Sequence, residues 1–196
     1  MGKEIIKLRL IRHGQTAFNA EGRYMGRTDV ELCDDGRQAI RKMYENAQWE
    51  DDVPLFSSPM KRCLETAKII FPDRTPVIFD GLREMDFGIF EGKMYEELQN
   101  MKEFTDFVST SGRIAPPEGE SREDFTARVT DAVKKCCESV RAAGRDFGVI
   151  VMHGGTIMAL MSYLDGGDYY SYLPKNGGGF LLTLDKEFRL LDHEKI

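Results

Sequence analysis

Two apolar runs, LRLIRHG at residues 8–14 and FGVIVMHGG at residues 147–155, each break off at a histidine followed by glycine. Near-continuous apolar runs of this length read as strands buried on both faces, the signature of a parallel sheet. Parallel neighbours need long crossovers, and the sequence supplies them as helical periods. After a first strand at 5–12, residues 13–34 carry little periodicity and read as a functional or surface loop. Residues 36–48 read as a helix with Ala39, Ile40, Met43, Tyr44 and Ala47 on one face. A short strand follows at 53–58, and Ser58-Pro59 reads as a cap and first position of a helix reaching about residue 71. Another short strand is expected at 76–80 and a helix at 94–108 with Leu98, Met101 and Val108 on one side. Residues 109–121 read as a loop. Ser121 and Asp124 then cap a helix whose stripe is Phe125, Val129, Ala132, Val133, Cys136 and Val140, with Gly144 at its end. A strand at 147–153 and a helix at 155–164 follow, and GFLLTLD and FRLLDH read as a closing antiparallel hairpin.

This alternation implies an α/β fold: a three-layer α/β/α sandwich with a mostly parallel central sheet and an antiparallel C-terminal edge. The 196 residues suit one domain, 1–196, within which about 94–121 form a helix and loop positioned to cover a substrate. Apolar residues make up 41% and charged ones 31%, enough of both for a packed core under a hydrated surface. A net charge of −6 argues against a broad nucleic-acid surface, while leaving room for a small basic pocket. No run approaches the roughly 18 apolar residues of a membrane span. The N-terminus lacks a signal-peptide core, and Met1-Gly2 followed by Ile6 is a poor acylation site. A cytoplasmic location is therefore expected. Cys33, Cys63, Cys136 and Cys137 show neither metal-site nor disulfide spacing, and read as small buried or half-buried side chains. The third histidine, His193, has no polar company and reads as a surface residue.

In open parallel sheets, ligands bind beyond the carboxyl ends of the strands. His13 and His153 both stand at such ends, and Arg12 stands beside His13. Arg62 falls in the first turn of the helix after the 53–58 strand, near another strand end. Two guanidinium groups, two imidazoles and a helix N-terminus make an anion site, and a phosphoryl group best uses several planar donors at once. Glu84, just after the 76–80 strand, adds a carboxylate that would either pair with arginine or donate a proton to a leaving alcohol. Its neighbour Asp86, two residues on, would point the other way in an extended segment. No clustered carboxylate or histidine set suggests a metal, and no cofactor is called for.

LIRHGQTAFN, GRTDVELCDDGRQA, FSSPMKRCLETA, EMDFGIFEG, EGES and VMHGGTIMAL, in that order from residue 8 to about residue 160, resemble the histidine phosphatase superfamily, also called the phosphoglycerate-mutase-like family. The resemblance implies its fold and the following roles. His13 is the nucleophile and becomes phosphohistidine. Arg12, Arg62 and His153 hold the phosphoryl oxygens, with Asn19 and the Gly154 amide as further donors. Glu84 protonates the leaving oxygen and then activates water. Thr16 is a further substrate contact, and Arg27 is either a surface loop residue or a contact of the same kind. Such a reaction rests on positioning and charge stabilisation rather than on covalent chemistry by many groups.

The segment EMDFGIFEG resembles the phosphatase branch, including α-ribazole phosphatases, and the chain has little room for the insertion that closes mutase sites. The expected activity is hydrolysis of a small phosphate monoester by a monomer or homodimer, with no nucleic-acid or membrane partner. The alternatives are a 2,3-bisphosphoglycerate-dependent phosphoglycerate mutase and a non-catalytic binder of phosphorylated ligands. Three positions depart from the family pattern. Cys33 replaces a usual Ser or Thr cap, which weakens that cap by about 1 kcal/mol. Glu118 stands where glycine is common and Met158 where arginine is frequent, and both bear on substrate contacts.

Overall fold

The computed structural model describes residues 5–49 and 52–196. The N-terminal residues weighed above for a signal or acyl group lie partly outside that range. Six strands form one sheet: β1 (Ile6–Arg12), β2 (Leu55–Ser57), β3 (Val77–Ile78), β4 (Phe147–Met152), β5 (Gly179–Leu184) and β6 (Leu190–Lys195). Their spatial order is β3-β2-β4-β1-β5-β6. The pairings β2–β3, β2–β4 and β1–β4 are parallel, and β1–β5 and β5–β6 are antiparallel. The mixed sheet with its antiparallel edge is as expected.

The helices are α1 (Ala17–Glu21), α2 (Asp34–Tyr44), α3 (Lys61–Ile70), α4 (Tyr95–Leu98), α5 (Lys102–Ser109), α6 (Arg122–Ala142) and α7 (Gly154–Asp165). Alternating side chains of the central strands divide between two cores. Val149 and Val151 of β4 pack with Ile40 of α2 and with Cys63, Ala67 and Ile70 of α3. Ile150 and Met152 face the other way, toward Phe125, Val129 and Val133 of α6 and Ile157 and Leu160 of α7. The whole stripe expected on α6 is buried. At about 1.5–3 kcal/mol per large apolar side chain, such burial outweighs any propensity term of the helix.

The structure corrects several boundaries. The helix expected at 94–108 is two helices, α4 and α5. Leu98, Phe104 and Phe107 are the buried residues, whereas Val108 is exposed. At 100° per residue, an unbroken helix would set Phe104 about 120° and Phe107 about 180° from Leu98. The break at 99–101 brings all three onto one core. A short helix, α1, also lies within the stretch read as a loop. Thr16 caps it, in a capping box with Asn19. α3 begins at Lys61, later than expected, and Ser58 is not its cap. Lys61 N–H instead donates to Asp29 Oδ1 at 2.8 Å, so a distant loop supplies the cap. Cys33 does cap α2, its Sγ accepting from Gly36 N–H at 3.4 Å. The other three cysteines are buried, as expected. No described helix is long and apolar enough to cross a membrane.

Candidate active site

The two histidines meet because their strands are hydrogen-bonded neighbours. Arg12 of β1 lies opposite Met152 of β4, and His13 N–H donates to Met152 C=O at 3.0 Å. The ring centroids of His13 and His153 are 5.2 Å apart, edge to face. Both rings are buried. His13 Nδ1 lies 2.7 Å from Gly14 C=O. A carbonyl only accepts, so Nδ1 carries the proton and Nε2 keeps a free lone pair. Burial, and then the charges of Arg62 and Arg12, hold this imidazole well below its ordinary 6.5. The ring is neutral and nucleophilic over the physiological range.

Arg62 is completely buried. Its Nε donates to His153 Nδ1 at 3.2 Å, Nη1 to Thr28 C=O at 2.9 Å and Nη2 to Gly26 C=O at 2.8 Å. Three of five N–H groups are thus bound to neutral acceptors, and two remain. Arg12 is held by one bond, Nη1 to Pro174 C=O at 2.7 Å. Its Nε is buried without any hydrogen-bond partner. The guanidinium lies against Gly154, where an added Cβ would come within 3.2 Å of Nε. Neither arginine has a carboxylate partner within ion-pair distance among the described residues, unlike Arg23, Arg37, Arg83 and Arg128. A buried and a half-buried guanidinium, both with unused donors and neither in ion-pair contact with a carboxylate, are suited to receive an anion.

Glu84 is buried over the start of α7. Its Oε2 accepts from Gly155 N–H and its Oε1 from Met85 N–H, both at 2.9 Å. Gly155 is needed here, since a Cβ would fall 2.2 Å from Oε1. Burial raises this carboxyl above its ordinary 4.5, more than the two N–H bonds and the two arginines lower it. Asp86 turns away as expected, accepting from Gly88 N–H at 3.0 Å.

The supporting residues were not legible as such in the sequence. Arg128 of α6 donates to the carbonyls of Gly81, Arg83 and Glu84 at 3.0, 2.7 and 2.9 Å. It is itself paired with both oxygens of Glu120. Glu91 accepts from the N–H groups of Gly26, Arg27 and Thr28 at 2.9, 2.9 and 3.1 Å, and from the Thr28 hydroxyl at 2.5 Å. It thereby holds the loop whose carbonyls grip Arg62. Asn176 donates to His13 C=O at 3.0 Å and to Asn19 Oδ1 at 3.4 Å. The only sequence signal for these groups is that Glu91 and Glu120 lie inside the quoted motifs.

The remaining candidates divide. Asn19 Oδ1 accepts from Thr16 N–H, the Thr16 hydroxyl and Asn176, which leaves Asn19 Nδ2 as a donor on the cleft wall. Gly154 is the first residue of α7, so its N–H has no intrahelical acceptor. Thr16 is fully buried and does not line the cleft. Its hydroxyl and N–H donate to Asn19 Oδ1, so it orients Asn19. Of the two readings of Arg27, its placement fits the surface loop residue: the guanidinium lies 3.7 Å from Asp86 and 3.9 Å from Glu120 and does not line the cleft. His153 sits beside the pocket, but both nitrogens have partners, Nδ1 with Arg62 and Nε2 with Ser58 Oγ at 2.8 Å. His193 is half-buried against Tyr172 and Phe180, 3.4 Å from Asp165, rather than free on the surface. Burial pushes the Cys63 thiol, packed on His153, up to about 12, so it stays protonated.

A cleft of about 500 Å³ opens at this edge of the sheet, with His13, Arg62 and His153 buried and outside its lining. Arg12, Asn19, Glu84 and Gly154 line it from the sheet edge, and Tyr95, Phe107 and Ser111 from the 94–121 segment.

The family model of the histidine phosphatase superfamily, branch 1, matches residues 8–175. Phosphoglycerate mutase-like protein 4 of Arabidopsis thaliana is 33% identical over 77% of this chain and 67% of its own length. A Hydrogenobacter thermophilus protein that carries the name of a phosphoserine phosphatase is 32% identical over 82% of this chain and 79% of its own. A solved Escherichia coli K-12 structure, named for α-ribazole-5'-phosphate phosphatase, superposes with a TM-score of 0.83 over 97% of this chain and 94% of that one. At 21% identity that likeness speaks for the fold alone.

Proposed function

Because the chain belongs to the histidine phosphatase superfamily, we propose that it is a metal-independent phosphomonoesterase acting on a small soluble ester. The observation that carries this reading is the meeting of His13 and His153, ring centroids 5.2 Å apart, with Arg62 bonded to His153 and Arg12 keeping an unpartnered Nε. In the proposed reaction His13 Nε2 attacks phosphorus and the ester P–O bond breaks. The Glu84 carboxyl gives its proton to the departing alkoxide. Water then attacks the phosphohistidine, Glu84 takes the water proton, and the P–N bond breaks to release inorganic phosphate. Arg12, Arg62, Asn19 and the Gly154 amide stabilise the phosphoryl oxygens throughout. His153 joins them when a phosphoryl oxygen replaces Ser58 Oγ at its Nε2.

Hydrolysis of p-nitrophenyl phosphate without added metal tests the activity. His13→Ala should abolish phosphoenzyme formation, and labelling of that variant at the parent level would place the nucleophile elsewhere. Glu84→Gln should slow alkyl esters by about 10²-fold or more but p-nitrophenyl phosphate much less, because a good leaving group needs no acid. Equal slowing would remove Glu84 from the acid role. Offering 3-phosphoglycerate with and without 2,3-bisphosphoglycerate separates hydrolysis from transfer. Rapid formation of 2-phosphoglycerate with little free phosphate would favour the mutase.

A further inference from the structure

Above its charged floor the cleft is walled by rings: Tyr24, Phe87, Tyr95, Phe107, Tyr169 and Tyr170 all line it. Tyr24 packs edge-on against Phe87 at 5.3 Å, and Phe87 against Phe107 at 6.2 Å. The wall is therefore preorganised rather than assembled on binding. Twelve large apolar side chains are exposed among the described residues, and four of them stand round this one cleft. These are Tyr95 (53%), Val108 (45%), Tyr170 (58%) and Leu173 (45%). Exposed apolar surface gathered on one concavity marks a ligand contact.

Charge on the walls is scarce. Beyond Arg12, the cations are Arg23 and Arg122. Arg23 is bound by Glu21 at 2.5 Å and by Gly92 C=O at 2.7 Å. Arg122 lies over the Tyr169 ring at 4.9 Å, on the border with the groove between α6 and α7. Met158, one helical turn on from Gly154, also lines the cleft. Beyond these cations and the polar Asn19 and Ser111, the wall is mostly ring and aliphatic surface. A volume of about 500 Å³ falls in the range that encloses drug-sized ligands, well above what a three-carbon ester fills.

We infer that the preferred substrate is the phosphate monoester of an alcohol carrying an aromatic ring, rather than a small hydroxy-acid or amino-acid ester. This rests on the phosphomonoesterase reading of the same site.

The test compares kcat/KM for 2-phenylethyl phosphate, ethyl phosphate and phosphoserine. Phenylethyl and ethyl alcohols leave with nearly equal ease, so their ratio reads the ring and not the chemistry. A ring held against this wall should give at least a tenfold advantage over ethyl phosphate, and more over phosphoserine. Tyr170→Ala should reduce that ratio. A ratio near one, or faster turnover of phosphoserine, overturns the inference and leaves the phosphatase reading standing, since phosphate is still released. Binding is read apart from turnover by calorimetry with 3-phenylpropylphosphonate and propylphosphonate, neither of which hydrolyses. Equal Kd values would also overturn the inference. A tenfold preference for the aryl compound without phosphate release from any ester sustains the apolar selectivity and defeats the phosphatase reading alone.

Discussion

Glu91 touches no substrate in this arrangement, yet replacing it with glutamine should weaken turnover. Its two oxygens accept from four backbone N–H groups, those of Gly26, Arg27, Thr28 and Phe87, and from the Thr28 hydroxyl. Glutamine keeps one acceptor oxygen and replaces the other with an NH2 group. The Thr28 hydroxyl can turn and accept from that group, but Thr28 N–H is left facing a donor. The surviving bonds also become neutral rather than charge-assisted. An orphaned N–H costs about 1–3 kcal/mol, and each charged-to-neutral change costs about 1 kcal/mol. Glu91 is only half-buried, so screening brings the total to about 2 kcal/mol. That energy comes out of the 26–28 loop, whose carbonyls hold Arg62. Converted at 1.4 kcal/mol per tenfold, kcat/KM should fall by up to about 30-fold. The inhibition constant of inorganic phosphate should rise with it, because both depend on Arg62. Steady-state kinetics on p-nitrophenyl phosphate with phosphate as inhibitor, beside a thermal melt, would show the effect. If Glu91→Gln keeps kcat/KM and the phosphate constant within twofold of the parent, Arg62 does not depend on this loop and the reasoning fails.

Two other outcomes are expected. Turnover of an alkyl ester needs neutral His13 and protonated Glu84. Activity should therefore rise with pH through the lowered His13 value and fall with pH through the raised Glu84 value, giving a bell-shaped profile. A profile of kcat/KM that climbs steadily to pH 9 would contradict it. Glu118 is exposed with φ at +62°, a left-handed conformation, and lies outside the cleft. Glu118→Gly relieves roughly 1–2 kcal/mol of backbone strain and returns part of it as unfolded-chain entropy. A net stabilisation of about 0.5–1 kcal/mol in denaturant unfolding is expected, with turnover unchanged. A loss of stability would refute the strain argument.

Glu118 shows how a family departure reads differently once the backbone is known: the position governs conformation and does not touch the cleft. The same contrast runs through the molecule. The apolar runs before His13 and His153 sufficed to place both rings at neighbouring strand ends, because burial on both faces leaves a local pattern. The α6 stripe was legible for the same reason, its period being repeated over five turns. The break between α4 and α5 was hidden, because Leu98 and Phe104 each fit a helix alone and conflict only when both must face one core. Thr16 and Arg27 lie close to the site in sequence, yet one is turned into the interior and the other toward Asp86 and Glu120.

By itself, then, the chain determined the sheet, its two helical layers and the gathering of Arg12, His13, Arg62, Glu84 and His153 at one edge of that sheet, since each is announced by periodicity or by a short motif at or just after a strand end. Only the tertiary structure decided which nitrogen of His13 is free, what holds Arg62 and Glu84 in place, and what walls the cleft. Those depend on hydrogen bonds and ring contacts between segments tens of residues apart, and no local spacing records which distant partner a polar group will find.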